Sequence, residues 1–109
     1  MSYNIIAVPI FKKELKRLAK KYNYLKTDMA QLFESLEEDP IQGIAIGKNC
    51  YKIRISISSK GKGKSGGARI ITNIVIKDET VYLLFIYDKS DKENLTDKEL
   101  DELLKNIPD

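Results

Sequence analysis

Apolar residues change their spacing several times along this chain, and each change predicts an element. Tyr3 to Val8 is a short apolar run, read as a strand, and Pro9 opens a helical pattern. Phe11, Leu15, Leu18, Tyr22 and Leu25 then recur at alternating steps of four and three, the stripe of an amphipathic helix. Lys12, Lys13, Lys16, Arg17, Lys20 and Lys21 cover its other sides. Asn23 breaks the pattern. A second helix is expected after Thr27-Asp28, with Met29, Leu32, Phe33 and Leu36 inward, ending before Pro40. Together these read as a helical hairpin.

Period two follows. Tyr51, Ile53, Ile55 and Ile57 alternate with Lys52, Arg54, Ser56 and Ser58, which predicts a half-buried strand with a polar, cationic face. Ala68 to Ile76 reads as a second strand, with a turn at Asp78-Glu79. Val81 to Tyr87 is apolar on both faces and belongs in the middle of a sheet. Thr96-Asp97-Lys98-Glu99 is a capping box, flanked by Leu95 and Leu100 where a hydrophobic staple requires them. Leu100, Leu103, Leu104 and Ile107 form the stripe of a last helix, which Pro108 ends. The predicted order is β-α-α-β-β-β-α, an α+β fold. Its curved sheet is expected to be mainly antiparallel, with the helices packed on one face.

Composition narrows the chemistry. At 109 residues, the expectation is one domain spanning residues 1–109. No apolar run approaches the length of a membrane span, and the N-terminus lacks a signal-peptide layout. The single cysteine, Cys50, permits no internal disulfide and fits a reducing cytoplasm. There is no histidine, which removes Ser-His-Asp and Cys-His nucleophile systems and the usual zinc sites. Acid–base chemistry near neutral pH then falls to Lys, Tyr, Asp or Glu with a shifted pKa.

The net charge of +3 hides a strong segregation. Lys48 to Lys77 holds eight basic residues and no acid, whereas Asp78 to Asp109 holds ten acids against four lysines. Such polarity points to an anionic partner for the middle of the chain, nucleic acid above all. At its centre lies SSKGKGKSGGAR, residues 58–69, with Lys60, Lys62 and Lys64 among glycines. Gly61, Gly63 and Gly66 match G-x-G-x-x-G, but a strand follows where a dinucleotide site needs a helix. A P-loop would need glycine at position 58, where Ser58 stands. A basic hairpin loop with phosphate affinity remains.

The stretches YKIRISISSKGKGKSGGARIIT and VYLLFIYDKSDKENLTDKELDELL together resemble the RelE/HigB-type toxins of bacterial toxin–antitoxin pairs, within the RelE/ParE superfamily. The HigB-like branch is the nearer likeness, and nearly the whole chain follows the family's element order. The resemblance implies a ribosome-dependent mRNA interferase, acting in the 30S A site and silenced by a helix-turn-helix antitoxin. It implies no cofactor and no metal: the message's own 2′-hydroxyl attacks the adjacent phosphorus. By the same resemblance, Arg69 is the phosphate-binding arginine, and Tyr87 and Lys89 are the other catalytic candidates. Lys52, Arg54, Lys60, Lys62 and Lys64 are expected to contact message or ribosomal RNA. The sequence departs from family members that carry a tyrosine near the final helix, where this chain reads DKENL, and from those that use histidines. Two other readings stay open: a ParE-like gyrase poison, and an inactive homologue that only binds its antitoxin.

Overall fold

The computed structural model describes residues 2–57, 67–92 and 94–108. Five strands and three α-helices follow in the order β1 (Asn4–Ala7), α1 (Pro9–Lys21), α2 (Leu25–Glu38), β2 (Ile44–Gly47), β3 (Cys50–Ile55), β4 (Ala68–Val75), β5 (Thr80–Asp88) and α3 (Asp97–Leu104). The fold is α+β, built on one sheet in the order β1-β5-β4-β3-β2. β2 to β5 form an antiparallel meander, and β1 pairs with β5 in parallel.

Most elements arise where the periodicity places them. α1 starts with Pro9, whose missing N–H is no loss in a first turn. Its stripe is buried at Phe11, Leu18 and Tyr22, and Phe11 meets Phe33 of α2. α2 begins at Leu25, two residues ahead of the expected Thr27-Asp28, because Leu25 still belongs to the buried stripe and carries the chain straight on. The Asp78-Glu79 turn is a short 3₁₀ segment, Ile76–Asp78, closed by Glu79 in a left-handed conformation (φ 48°).

Three features differ from expectation. β2 is an extra strand, four residues long and mostly exposed, so no alternation marks it. It is made by the tight turn that follows: Lys48 and Asn49 both have positive φ, the geometry of a two-residue hairpin. Gly43 leads into it where a Cβ would sit 2.2 Å from the Lys52 carbonyl oxygen, so only glycine fits. Next, β5 carries a bulge. Ile71 pairs with Phe85 but Thr72 pairs with Leu83, leaving Leu84 extra. Strict alternation would put Leu83 on the face of Phe85 and Tyr87; the bulge turns it to the other one.

The third correction concerns the helices, which do not share a face. Residues directly opposite each other in a ladder point the same way. One face therefore carries Ile53, Ala68, Ile70, Ile86 and Asp88, and receives α1: the Tyr22 hydroxyl donates to the buried Asp88 carboxylate at 2.5 Å. The opposite face carries Arg54, Arg69, Ile71, Phe85 and Tyr87. α3 packs there, its Leu103 lining an apolar groove with Phe85 and Leu95. α3's Asp101 reaches across to Lys48 in the β2–β3 turn.

Candidate functional site

Three strands bring the candidate residues to one row. Arg54 of β3 lies directly opposite Arg69 of β4, and Arg69 directly opposite Tyr87 of β5. Opposed residues have Cα atoms about 5 Å apart, so the three side chains rise side by side from one face. They come from three separate stretches of the chain, and only the ladder register joins them. The next row back is Lys52, Ile71 and Phe85, which puts Lys52 on the same face as Arg54.

Arg69 is buried, and its Nη1 donates to the Ala68 carbonyl at 3.2 Å. An arginine held by its own strand presents its planar fork in a set orientation. Arg54 beside it is exposed. Tyr87 is 3% exposed, and its ring lies 6.0 Å from that of Phe85. Its hydroxyl is buried without a hydrogen-bond partner among the described residues. Burial pushes the Tyr87 pKa up; Arg69 pulls against this, and Glu99 of α3 adds to the rise. The phenol therefore keeps its proton at neutral pH.

Lys89 stands just past the end of β5. Its backbone N–H bonds the Gly67 carbonyl at 3.1 Å, which carries the pairing one step beyond Ala68 and Asp88. Its side chain is exposed, outside the buried row. Lys60, Lys62 and Lys64 lie outside the described residues. Among the described residues no His, Cys, Asp and Glu group could hold a metal ion.

Two further contributors were not anticipated as site residues. Glu99 was read only as the acid of a capping box, which it is, receiving the Thr96 backbone N–H at 2.9 Å while Thr96 Oγ1 accepts from the Glu99 N–H. It also pairs with Lys92 and contributes its charge at Tyr87. Asp88 is the other. It sits in β5 between Tyr87 and Lys89, fully buried, and binds Tyr22, the Ser90 N–H at 3.0 Å and the Ser90 hydroxyl at 2.8 Å. An acid in an otherwise apolar strand was the available signal.

A cleft of about 550 Å³ runs between α2 and the edge of β3, bordered by Asp28, Gln31, Ser35, Lys52 and Arg54. It does not include Arg69 or Tyr87. The apolar groove beside Phe85, about 320 Å³, is closer to the row and is rimmed by Lys98, Glu99 and Glu102.

This fold is that of known bacterial toxins. The family model for the RelE toxin of the RelE/RelB toxin–antitoxin system matches residues 8–107, and the chain belongs to that family. Among solved structures it is similar to a doubly substituted toxin RelE of E. coli in the free state, at 17% identity and a TM-score of 0.64, over 99% of this chain and 100% of that one. It is also similar to a chain of the RelBE2 toxin–antitoxin complex of Mycobacterium tuberculosis, at 16% identity and a TM-score of 0.61, over 84% of this chain and 95% of that one. The isolated E. coli RelE toxin matches at 16% identity and a TM-score of 0.59, over 97% and 100%. At these identities the likeness is one of fold. The protein is a RelE-like toxin of a toxin–antitoxin system.

Proposed function

We propose that this toxin is an endoribonuclease that cuts messenger RNA in the ribosomal A site, close in sequence to the HigB-like branch. The observation that carries this reading is the row Arg54–Arg69–Tyr87. Two arginines directly opposite each other on neighbouring strands place two guanidinium groups side by side, and a phosphodiester matches a guanidinium fork with two oxygens. A buried tyrosine hydroxyl beside them completes a receptor for a charged group that must also exchange a proton.

In the reaction, the message's 2′-oxygen forms a bond to the adjacent phosphorus and the bond from phosphorus to the 5′-oxygen breaks. The products are a 2′,3′-cyclic phosphate and a 5′-hydroxyl. A base takes the 2′-hydroxyl proton and an acid delivers one to the departing oxygen. Arg69 grips the non-bridging oxygens, where charge builds in the transition state, with Arg54 as second cation. Tyr87, kept protonated by burial, serves as hydrogen-bond donor or acid rather than as base. Lys89 is an exposed cation just past the end of the row. Lys52, Lys60, Lys62 and Lys64 draw in the RNA backbone. The partner is a cognate antitoxin of helix-turn-helix type and the compartment is the cytoplasm; the pairing of toxin with antitoxin in the RelBE2 complex supports the first part.

The test is induction of the toxin alone in a bacterium, with primer extension on translated messages. Growth arrest with cuts inside ribosome-occupied codons is expected, relieved by the antitoxin. Intact messages with gyrase-dependent DNA breaks would assign a ParE-like role instead. Unimpaired growth at confirmed soluble expression would mean a homologue that only binds its antitoxin.

A further inference from the structure

β2 stops short of its neighbour. It pairs with β3 only as far as Ile44 opposite Lys52, so residues 53–55 have no strand on that side among the described residues. Two features turn the chain away there. Gln42 Nε2 donates to Ser35 Oγ of α2 and to the Asp39 carbonyl, each at 2.8 Å, and Gly43 (φ 88°) makes the bend into β2. The space left is the cleft of about 550 Å³, with α2 as one wall and β3 as the other. Small-molecule sites typically span about 300–1,000 Å³.

β3 presents an unpaired backbone rung to this cleft. The Asn49 carbonyl accepts from Ile74 of β4, the Ile55 carbonyl lies against Gly67 before β4, and the Lys52 carbonyl lies against Gly43 on the other side. Facing alternates along a strand, so Arg54 directs its N–H and C=O outward with Lys52. No described residue bonds either group. On the facing wall, Gln31 is exposed, and its amide makes no hydrogen bond to a described residue. Leu32, Ile44 and Ile55 supply apolar lining, and Ile44 is 57% exposed. Donor–acceptor pairs on two sides with apolar surface between them suit a base, which is flat and carries hydrogen-bonding edges. Charge orients the rest of such a ligand: Asp28 stands on the α2 wall, Lys52 and Arg54 on the β3 wall, so a phosphate turns towards β3.

We propose that this cleft binds one nucleotide, with its base between Gln31 and the Arg54 backbone and its phosphate on Lys52 and Arg54. Arg54 also stands opposite Arg69 in the row, so the cleft begins one strand spacing, about 4.8 Å, outward from that pair. The same chemistry fits a free mononucleotide and a nucleotide of the bound message beside the one that is cut. An added peptide strand suits the cleft less well. It needs several rungs, and beyond Lys52 the described part of β3 offers Arg54 alone. The inference rests on the proposed RNA-cleaving function only in taking Arg54 as a phosphate ligand.

The experiment is an amide NMR titration of the full chain. The ligands are the four 5′-mononucleotides and a 2′-O-methylated trinucleotide, which lacks the attacking hydroxyl and is not cut. The Gln31 side-chain amide and the Arg54 N–H should shift together. Gln31→Ala should weaken nucleotide binding by about tenfold or more and leave the weaker binding of inorganic phosphate unchanged. Lys52→Gln should weaken both. Thermal melting of each variant confirms its fold. Binding of mononucleotides supports the proposal with a free ligand, and binding of the trinucleotide alone supports it with a message nucleotide. Two signals that ignore every nucleotide overturn it, as does inorganic phosphate binding as tightly as a nucleotide. An acidic hexapeptide that shifts Arg54 where nucleotides do not would overturn it in favour of an added strand. Message cleavage is read separately. A protein that binds nucleotides here but cuts nothing refutes the proposed function and leaves this site standing.

Discussion

Arg69 is a single residue placed so that its loss should separate chemistry from folding. Its Nη1 donates to the neighbouring Ala68 carbonyl in its own strand, and the residue lies on the sheet face away from α1. Arg69→Ala should abolish growth arrest, a loss of about a hundredfold or more in cleavage rate, while the protein folds and binds its antitoxin. Lys62→Ala should only weaken RNA binding and flatten its salt dependence, because a lysine that acts as a phosphate contact contributes little to the transition state. A fully toxic Arg69→Ala beside a dead Lys62→Ala would reverse the two roles. Tyr87 offers a sharper discrimination. Its hydroxyl is buried without a partner among the described residues, so Tyr87→Phe should raise the unfolding free energy by about 1 kcal/mol. The same change should lower cleavage. A variant that is less stable, or fully active, would show that the hydroxyl has a structural partner or no catalytic part.

At the scale of elements, α3 is the helix whose start is written out locally. Glu99 accepts from both Lys92 and the Thr96 backbone, and Lys92 is the larger influence; together they lower its pKa from an ordinary 4.5 to about 2. A carboxylate with a depressed folded pKa stabilises the fold above its unfolded value and loses that contribution as pH falls towards the folded one. Thermal melting should therefore fall more steeply between pH 5 and pH 2 in the native chain than in Glu99→Gln. Parallel curves for the two would remove Glu99 from the account. Because α3 packs on the face of Tyr87, acid that loosens it also loosens the lid on the row. Gly67 makes a second prediction at this scale. A Cβ there would sit 1.9 Å from the Ile55 carbonyl oxygen, so Gly67→Ala must push β3 and β4 apart where Arg54 and Arg69 meet. Toxicity should fall well before the fold does, read by growth assay against a melting curve.

On the scale of the whole molecule, the Tyr22–Asp88 contact ties the helical layer to the sheet. The helical layer and the site occupy opposite faces, and this hydrogen bond ties the end of α1 to the end of the strand that carries Tyr87. A hydrogen bond to a charged, buried group contributes about 1.5–3 kcal/mol, so Tyr22→Phe should lower stability by about that amount. It should also reduce cleavage, because the strand end it holds in place positions Tyr87 and Lys89. If stability falls and cleavage is untouched, the strand end is held well enough by the rest of the ladder.

What the sequence determined by itself was everything that depends on near neighbours. The α1 stripe from Phe11 to Leu25, the alternation from Tyr51 to Ile57 and the Thr96–Glu99 box each involve contacts within a few residues. A period or a cap expresses such contacts directly. The family likeness was legible too. Only the tertiary structure decided the rest. β2 is too short and exposed to show a period, and exists because Lys48 and Asn49 turn it back on β3. The bulge at Leu84, the parallel pairing of β1 and the placement of α3 opposite α1 are outcomes of long-range register, which no local window contains. The same holds for the site. Arg54, Arg69 and Tyr87 are far apart in the chain, and they become one row only because three strands pair in a single register that buries the other face.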